Sequence, residues 1–538
     1  MFETTTAPTP TPPAASGGGG GAHTSSGWLD DTALDDALAG AIESHERTRR
    51  PQLERYWRYY RNAELGARPG AHPNAGSPDL TGQGTRPRLA QEQGLPDRIT
   101  GGSAERAARR EVVVENDIAW RVHAQVDFMF GKPVAIRATG ADLDDAERRR
   151  IERVLDMVWE ASGGVALLQD VALLGHVYGY VDLAVRADAP GLRALALSVG
   201  SATPDDAVLR AAAELVRIEP IEPTRGVPLL DPGDYRRLLA YAVTYERERA
   251  TPPARAAAPA RHGRLFGRVR EAIGAEPARG RRERSRYTEV IGPHDRRVFE
   301  DGREVMREAH DWAAGRPPVV HVQNVSQPFR YEGLGEVEPL IPLQDELNTR
   351  LSDRASRVTM QSFKMYLARG IEGFDRVPVA PGTVWTTDNP DASVEAFGGD
   401  ADSPSEESHL QQIREALDKV SGVPPLASGV VRARIGNLTS ANALRITLMG
   451  LLSKTARKRV TYGAGMARVS ALVLAALDAT GVLPTAPEGR GVRLDWPDPL
   501  PVDLRERAAD ARTKLELGVP RERVLRELGF TSDDPGVQ

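Results

Sequence analysis

Apolar residues at three- and four-residue steps predict a helix over residues 29–61, where Leu53, Tyr56, Trp57 and Tyr60 share one face. The same period returns over 112–130, with Ile118, Val122, Val126 and Phe130 four apart, until Gly131 and Pro133 stop it. A strand is expected over 133–138. A charged helix with an apolar stripe at Ile151, Val154, Leu155 and Val158 is expected over 143–160. Residues 165–174 predict a more buried helix that ends at Gly175, followed by a strand over 177–185. Short strands then fit 217–219, 239–245, 287–291, 297–299 and 319–322, with Tyr241, Val243 and Tyr245 alternating. Leu343, Leu347, Leu351, Ala355 and Val358 predict a helix over 345–369, about 37 Å long at 1.5 Å per residue, with Gly370 as its stop. Short strands and turns follow over 371–402. A second helix over 406–420 is closed by Ser421, Gly422, Pro424 and Pro425.

Residues 426–437 read as a loop. Thr439 or Ser440 is placed to cap a helix carrying Leu444, Leu448, Leu451, Leu452 and Val460. Gly463 and Gly465 either interrupt that helix or let a neighbour approach it, and it runs on to Leu477. Leu494 and Trp496 suggest a strand, and a helical pair over 504–517 and 521–528 closes the pattern. The fold class expected is α+β.

Composition changes the picture at three places. Residues 1–27 are mostly Thr, Pro, Ala, Gly and Ser, including five glycines from Gly17 to Gly21, so a tail without a core is expected, drawn to residue 40. Residues 66–104 read as an exposed spacer. Residues 249–286 hold eleven Arg and three Glu, which fits a solvated excursion or contact with an acidic partner. At 538 residues the chain is long enough for three or four domains of about 150 residues each. It has no cysteine, which excludes disulfides, thiolate metal sites and cysteine nucleophiles. No run of 18 apolar residues occurs, and the N-terminus lacks a basic-then-apolar leader, so a soluble, intracellularly made protein is expected.

Candidate chemistry is sparse. The ten histidines form no HExxH pair. His176 and His321 sit in apolar surroundings expected of core or edge positions, and His123 has only Asp127 four residues on. There is no phosphate-binding GxxxxGK[ST], no GxGxxG after a strand and no GxSxG. Ser352 and Asp353 share a helix without a triad, and the pairs Asp144–Asp145 and Asp205–Asp206 are adjacent residues aimed apart. No enzyme, cofactor or metal is expected.

Charge is segregated instead. Between Lys419 and Leu477 there are nine basic residues and no acidic one: Lys419, Arg432, Arg434, Arg445, Lys454, Arg457, Lys458, Arg459 and Arg468. The chain as a whole carries −5, so the remainder carries −14. Unpaired positive charge repels itself. It is offset either by acidic residues elsewhere in the fold or by a polyanion. Few aromatics interleave, so a nucleic acid would be met at its phosphates, without sequence preference.

In their order the segments resemble the tailed-bacteriophage portal proteins of the SPP1-like family, from about Ala41 to Phe530. The resemblance is carried by ERYWRYYRNAE (54–64), NDIAWRVHAQVDFMFGKPVAI (116–136), LLGHVYGYVDL (173–183), VEPLIPLQDELNTRLSDRASRVTMQSFKMYLARG (337–370), HLQQIREALDKVSGVPPL (409–426) and GNLTSANALRITLMGLLSKTARKR (436–459). Ala441 stands where the family often has Gly.

The resemblance implies a wing over 41–334, a first stem helix over 335–370, a clip over 371–405 and a second stem helix over 406–422. A tunnel loop over 423–437, a long helix over 438–480, a wing strand and crown helices over 481–530 and a tail over 531–538 would complete it. It implies a closed ring, usually of twelve subunits, at one capsid vertex of the virion, through which double-stranded DNA is packaged and ejected. The partners implied are a large terminase that supplies the energy, a head–tail adaptor, and the major capsid and scaffolding proteins, with no membrane. The ring would be assembled in the host cytoplasm. Arg432 and Arg434 in the tunnel loop, and Arg445, Lys454, Arg457 and Lys458 on the next helix, become candidates to face DNA. A ring-forming scaffold that conducts no DNA, and an enzyme on a large α+β scaffold, are the alternatives.

Overall fold

The computed structural model describes residues 31–64, 88–100, 111–140, 143–200, 203–250, 282–362, 365–370, 388–397, 404–428, 441–500 and 504–528. Helix α1 (Asp31–Ser44) and, after a five-residue π turn, α2 (Arg50–Arg61) open the fold. Leu53, Tyr56, Tyr59 and Tyr60 of α2 are buried, while Trp57 is only partly so. The tail drawn to residue 40 therefore stops earlier. Leu38 is buried, and Asp35 accepts from Arg297 at 2.6 and 2.9 Å. Residues 1–30 lie outside the description.

The spacer expected over 66–104 is corrected in its described part. Residues 90–99 form two short helical turns with Ala90, Gln91, Leu95 and Ile99 buried. Gln91 Nε2 donates to Tyr59 O at 2.7 Å and to Asn116 Oδ1 at 2.9 Å.

Helix α3 (Asp117–Phe130) begins later than the periodicity suggested, because Asn116 caps it through Ala119 N. The residues before it run extended beside helix α8, described below. Strand β1 (Ala135–Ala138) precedes α4 (Asp145–Ala161), whose predicted stripe is fully buried. Each such aliphatic side chain contributes about 1.5–3 kcal/mol. Asp144 and Glu147 cap α4 reciprocally.

Helix α5 (Gly164–Tyr178) runs through Gly175, the expected stop, and ends at Gly179, whose φ is +93°. Gly175 has a different task. A Cβ there would lie 1.9 Å from the Tyr462 hydroxyl, so the glycine admits that ring. Strand β2 (Tyr180–Ala187), α6 (Ala189–Val199), α7 (Asp206–Glu214) and β3 (Val216–Ile221) follow; neither α6 nor α7 was foreseen.

Strands β4 (Gly226–Asp231), β5 (Asp234–Ala250), β6 (Arg282–Ile291), β7 (Asp295–Glu300) and β8 (Arg303–Ala309) form an antiparallel meander in that order. β4 and β8 were missed. Every residue of β8 is exposed, so it carries no apolar alternation. β5 pairs with β6 out to Ala250 and Arg282, so the ends of the Arg-rich insert are strand, and 251–281 lie outside the description. Strand β9 (Val319–Gln323) completes a second sheet of order β3–β2–β9. Ala184, Ile221, Tyr241, Ile291 and Val319 join the two sheets in one apolar cluster.

Helix α8 (Ile341–Ser362) is shorter than expected, 22 residues or about 33 Å. Residues 365–369 are strand β10 (Met365–Arg369), paired with β11 (Ser393–Phe397) from Met365↔Phe397 to Arg369↔Ser393. Only Leu347 of the predicted stripe is fully buried, and Val358 is exposed. The buried face is polar: Gln344, Asn348 and Ser352, four apart, accept from the backbone N–H groups of Asp117, Glu115 and Val113, each at 3.0 Å. Gln344 Nε2 also donates to Glu115 O at 2.6 Å. Helix side chains thus pair an extended strand as a neighbouring strand would.

Helix α9 (Pro404–Ser421), α10 (Ala441–Thr447) and α11 (Met449–Ala479) follow. α11 is apolar enough by length and composition to cross a membrane, yet about half of its most apolar window is buried against α3, β2, β9 and β12 (Val492–Asp495), as a core helix is. Val460, expected on its apolar stripe, is exposed. Gly465 permits the close approach anticipated for it, since a Cβ would meet Val322 Cγ2 at 2.4 Å. β12 pairs with β1. The final helices are α12 (Leu504–Glu516) and α13 (Arg521–Leu528).

Candidate functional site

Helices α8 and α9 pack side by side. Leu347, Leu410, Ile413 and Leu417 belong to the main core, and Arg354–Glu407 at 2.6 Å and Arg357–Glu406 tie the outer ends. The β10–β11 pair connects them at that end. At the other end α9 is clamped three ways. Asp418 pairs with the buried Arg121 at 2.5 Å, and Arg121 also binds Asp117 at 2.8 Å while lying over the Trp120 ring. Ser421 O accepts from Lys454 Nζ at 2.9 Å. Val423 is buried with Leu448 and Leu451. Ala427 and Leu444 pack against the same cluster, so the described residues on the two sides of 429–440 share one anchor. Arg432 and Arg434, like the capping candidates Thr439 and Ser440, lie outside the described residues.

The return side holds a buried ionic cluster. Glu336 is 2% exposed. Its carboxylate binds Lys458 Nζ at 2.7 Å and also Lys454. Lys458 donates to Gln125 Oε1 at 2.6 Å, and Tyr462 OH donates to Asn324 Oδ1 at 3.2 Å. Burial pushes the Glu336 carboxyl up, but Lys458, Lys454 and His176 outweigh it and hold the group near pH 2. Lys458 is pulled down to about 8, chiefly by burial, against the attraction of Glu336. His176 Nδ1 donates to Ala172 O at 2.5 Å; burial first, then Lys458, lowers this ring to about 3, so it is neutral.

These contacts show where the charges of the described basic residues go within the subunit. Lys458 is 1% exposed and is paired with Glu336. Lys454 is spent on Glu336 and Ser421. Arg445 is exposed but pairs with Asp498 at 2.7 Å. Arg459 binds the carbonyls of Phe128 and Pro497 and lies over Trp496, and Arg468 binds His321 O at 2.7 Å. Arg457 and Lys419 are exposed and make no ion pair among the described residues. Much of the segment's charge is thus offset within the fold. Glu336, the residue that organises it, lies outside the segment, and in the sequence nothing sets it apart from Glu332 and Glu338 beside it.

A second constellation has the residue types of a catalytic site. Asp182 is fully buried and accepts from Tyr241 OH at 2.7 Å, Tyr331 OH at 2.8 Å and His321 Nδ1 at 2.7 Å. His321 Nε2 faces Tyr331 O at 2.6 Å, so both ring nitrogens are occupied by partners other than a nucleophile among the described residues. This network ties β2, β5 and β9 together. No group of three or more metal-ligating side chains occurs among the described residues.

No curated protein matches the chain. Solved structures similar to it include the following two. One is described as the neck of an empty GTA particle computed with C6 symmetry, at 16% identity and a TM-score of 0.40, over 77% of this chain and 90% of that one. The other is the virion of a native gene transfer agent particle, at 13% identity and a TM-score of 0.36, over 77% and 89%. Residues 281–536, which contain α8, the β10–β11 pair, α9 and the whole basic segment, match the family described as phage portal protein, SPP1 Gp6-like. Over those 256 of the 538 residues the chain is similar to the SPP1 Gp6-like phage portal proteins.

Proposed function

We propose that the chain assembles into a closed ring at one capsid vertex, that double-stranded DNA passes its central channel during packaging and ejection, and that the ring is the docking platform for the terminase and the head–tail adaptor. The observation that carries this reading is the family match over 281–536. In it α8 and α9 are the stem helices, 371–405 the clip, 423–437 the tunnel loop, α11 the long helix behind that loop, residues 41–334 the wing, and α12 and α13 the crown. The packing of the described residues on both sides of 429–440 into one cluster supports it, since a loop that touches a moving polymer needs fixed ends. So does the offset charge, because a strongly attractive lumen would hold DNA instead of letting it slide. Arg457, Arg432 and Arg434 remain the residues proposed to meet phosphates. Negative-stain imaging of the purified protein with native mass measurement tests the reading. A ring of about a dozen copies with an open centre is expected. A strictly monomeric particle overturns it, and a ring with a closed hub replaces it with a scaffold that conducts no DNA.

A further inference from the structure

The turn between β9 and α8 presents an unusual side chain. Phe329 is 87% exposed and has a φ of +62°, a left-handed conformation that an aromatic residue seldom adopts. The turn around it is held rigidly. Gln323 Nε2 donates to the carbonyls of Arg330 at 2.9 Å and Tyr331 at 3.0 Å, and Gln327 N donates back to Gln323 Oε1 at 3.1 Å. Leu334 N donates to Val325 O at 3.0 Å. A strained, exposed aromatic on a rigid turn is pre-organised to be received by something. Among the described residues its ring meets that of Tyr235, with centroids 6.5 Å apart. The next residue, Arg330, is exposed and makes no ion pair among the described residues.

A cleft of about 370 Å³ lies elsewhere, with walls that include Val134, Ile136, Trp159 and Leu168. That volume is within the range, about 300–1,000 Å³, of sites that enclose a small organic group. Its rim carries Asp156 and Glu160, exposed and without an ion pair among the described residues. Burial, then Glu152, pushes the Asp156 carboxyl up against the weaker pull of Arg137, which is itself paired with Glu152. Knob and cleft are at opposite ends of α5. The turn packs on its C-terminal end, where Asn324 N donates to Gly179 O at 2.8 Å, and the cleft takes in Gly164 and Val165 at its start, about 22 Å away.

We infer that Phe329 and Arg330 of one copy dock into the cleft of the next, the ring entering the apolar walls and the guanidinium meeting Asp156 and Glu160. Apolar knob meets apolar cleft, and an unpaired cation meets two unpaired carboxylates. Complementary patches on opposite sides of a subunit give a heterologous contact, which closes into a ring when the rotation permits. The inference rests on the ring reading and names the surfaces that would build it.

Charge exchange tests it. Arg330→Glu, and separately Asp156→Arg with Glu160→Arg, should each raise the concentration for half-assembly about tenfold or more, while the combined variant assembles as the wild type does. Because the chain lacks cysteine, an Arg330→Cys, Glu160→Cys variant gives a second readout. Under mild oxidation it should run as a ladder of covalent multimers, and neither single substitution should. Rings that form normally in every variant without a ladder overturn the docking and leave the ring reading standing. The same holds if Phe329→Ala lowers the melting temperature of the subunit and leaves assembly unchanged, which would reduce the residue to a partner for Tyr235. A wild-type chain that stays monomeric overturns both.

Discussion

Lys458 Nζ lies 2.7 Å from Glu336 Oε1, with both side chains almost wholly out of solvent. Breaking such a pair from one side leaves an uncompensated buried charge, which costs about 3–5 kcal/mol. Glu336→Gln is therefore expected to lower urea stability by that amount. Adding Lys458→Met should recover part of it, because an apolar side chain replaces the stranded cation. Equilibrium urea melts of both variants measure the difference.

The same cluster sets a pH dependence. The folded value of Glu336 is depressed from 4.5 to about 2, so its contribution is complete above about 4.5 and is lost as pH falls through 2. The folded value of His176 is depressed from 6.5 to about 3, so the unfolded chain takes up that proton first, and stability falls as pH drops from 6.5 to 3. His176→Phe should flatten the upper part of the acid limb and Glu336→Gln the lower part, read as urea midpoints from pH 7 to 2.

Two glycines of α11, two residues apart, should respond in opposite directions. At Gly463 the nearest atom to an added Cβ is Trp496 Nε1 at 3.7 Å, an ordinary contact. Gly463→Ala should stabilise by up to about 1 kcal/mol through helix propensity. At Gly465 the methyl group would collide with Val322, and Gly465→Ala should cost about 1–3 kcal/mol. Paired thermal melts decide this.

Asn348 joins α8 to the extended segment and to Gln91 Oε1 at 3.1 Å. Asn348→Leu leaves Glu115 N and Gln91 Oε1 unpaired, at about 1–3 kcal/mol each. Hydrogen exchange at Glu115 should accelerate in step with the loss of stability.

Arg432→Glu with Arg434→Glu should reduce DNA packaging while rings remain intact by electron microscopy. Full packaging yield from that double variant would remove both residues from the proposed mechanism.

The helices with a strong apolar period, α2, α4 and α9, were readable because burial of one face and periodicity are the same fact. The end of α8 was not. Nothing between Ser362 and Met365 breaks a helix, and the strand there depends on a partner nearly thirty residues away. The polar face of α8 was hidden for a related reason: Gln344, Asn348 and Ser352 read as solvent-facing until the segment they bind is in view. Strand β8, exposed throughout, offers no alternation to detect. In the basic segment the charge excess was legible but its neutralisation was not, since Glu336 and Asp498 are distant in sequence from the cations they hold.

Ala250 and Arg282 face each other in register at the open end of β5 and β6, with Cα atoms about 5 Å apart as in any antiparallel pair. The chain thus departs and comes back through a gate of fixed width. Whatever length evolution or an experimenter splices between those two posts, the sheet behind them has no need to re-register. An affinity tag or a fluorescent domain carried there would ride on the subunit without shifting the pairing of β5 with β6.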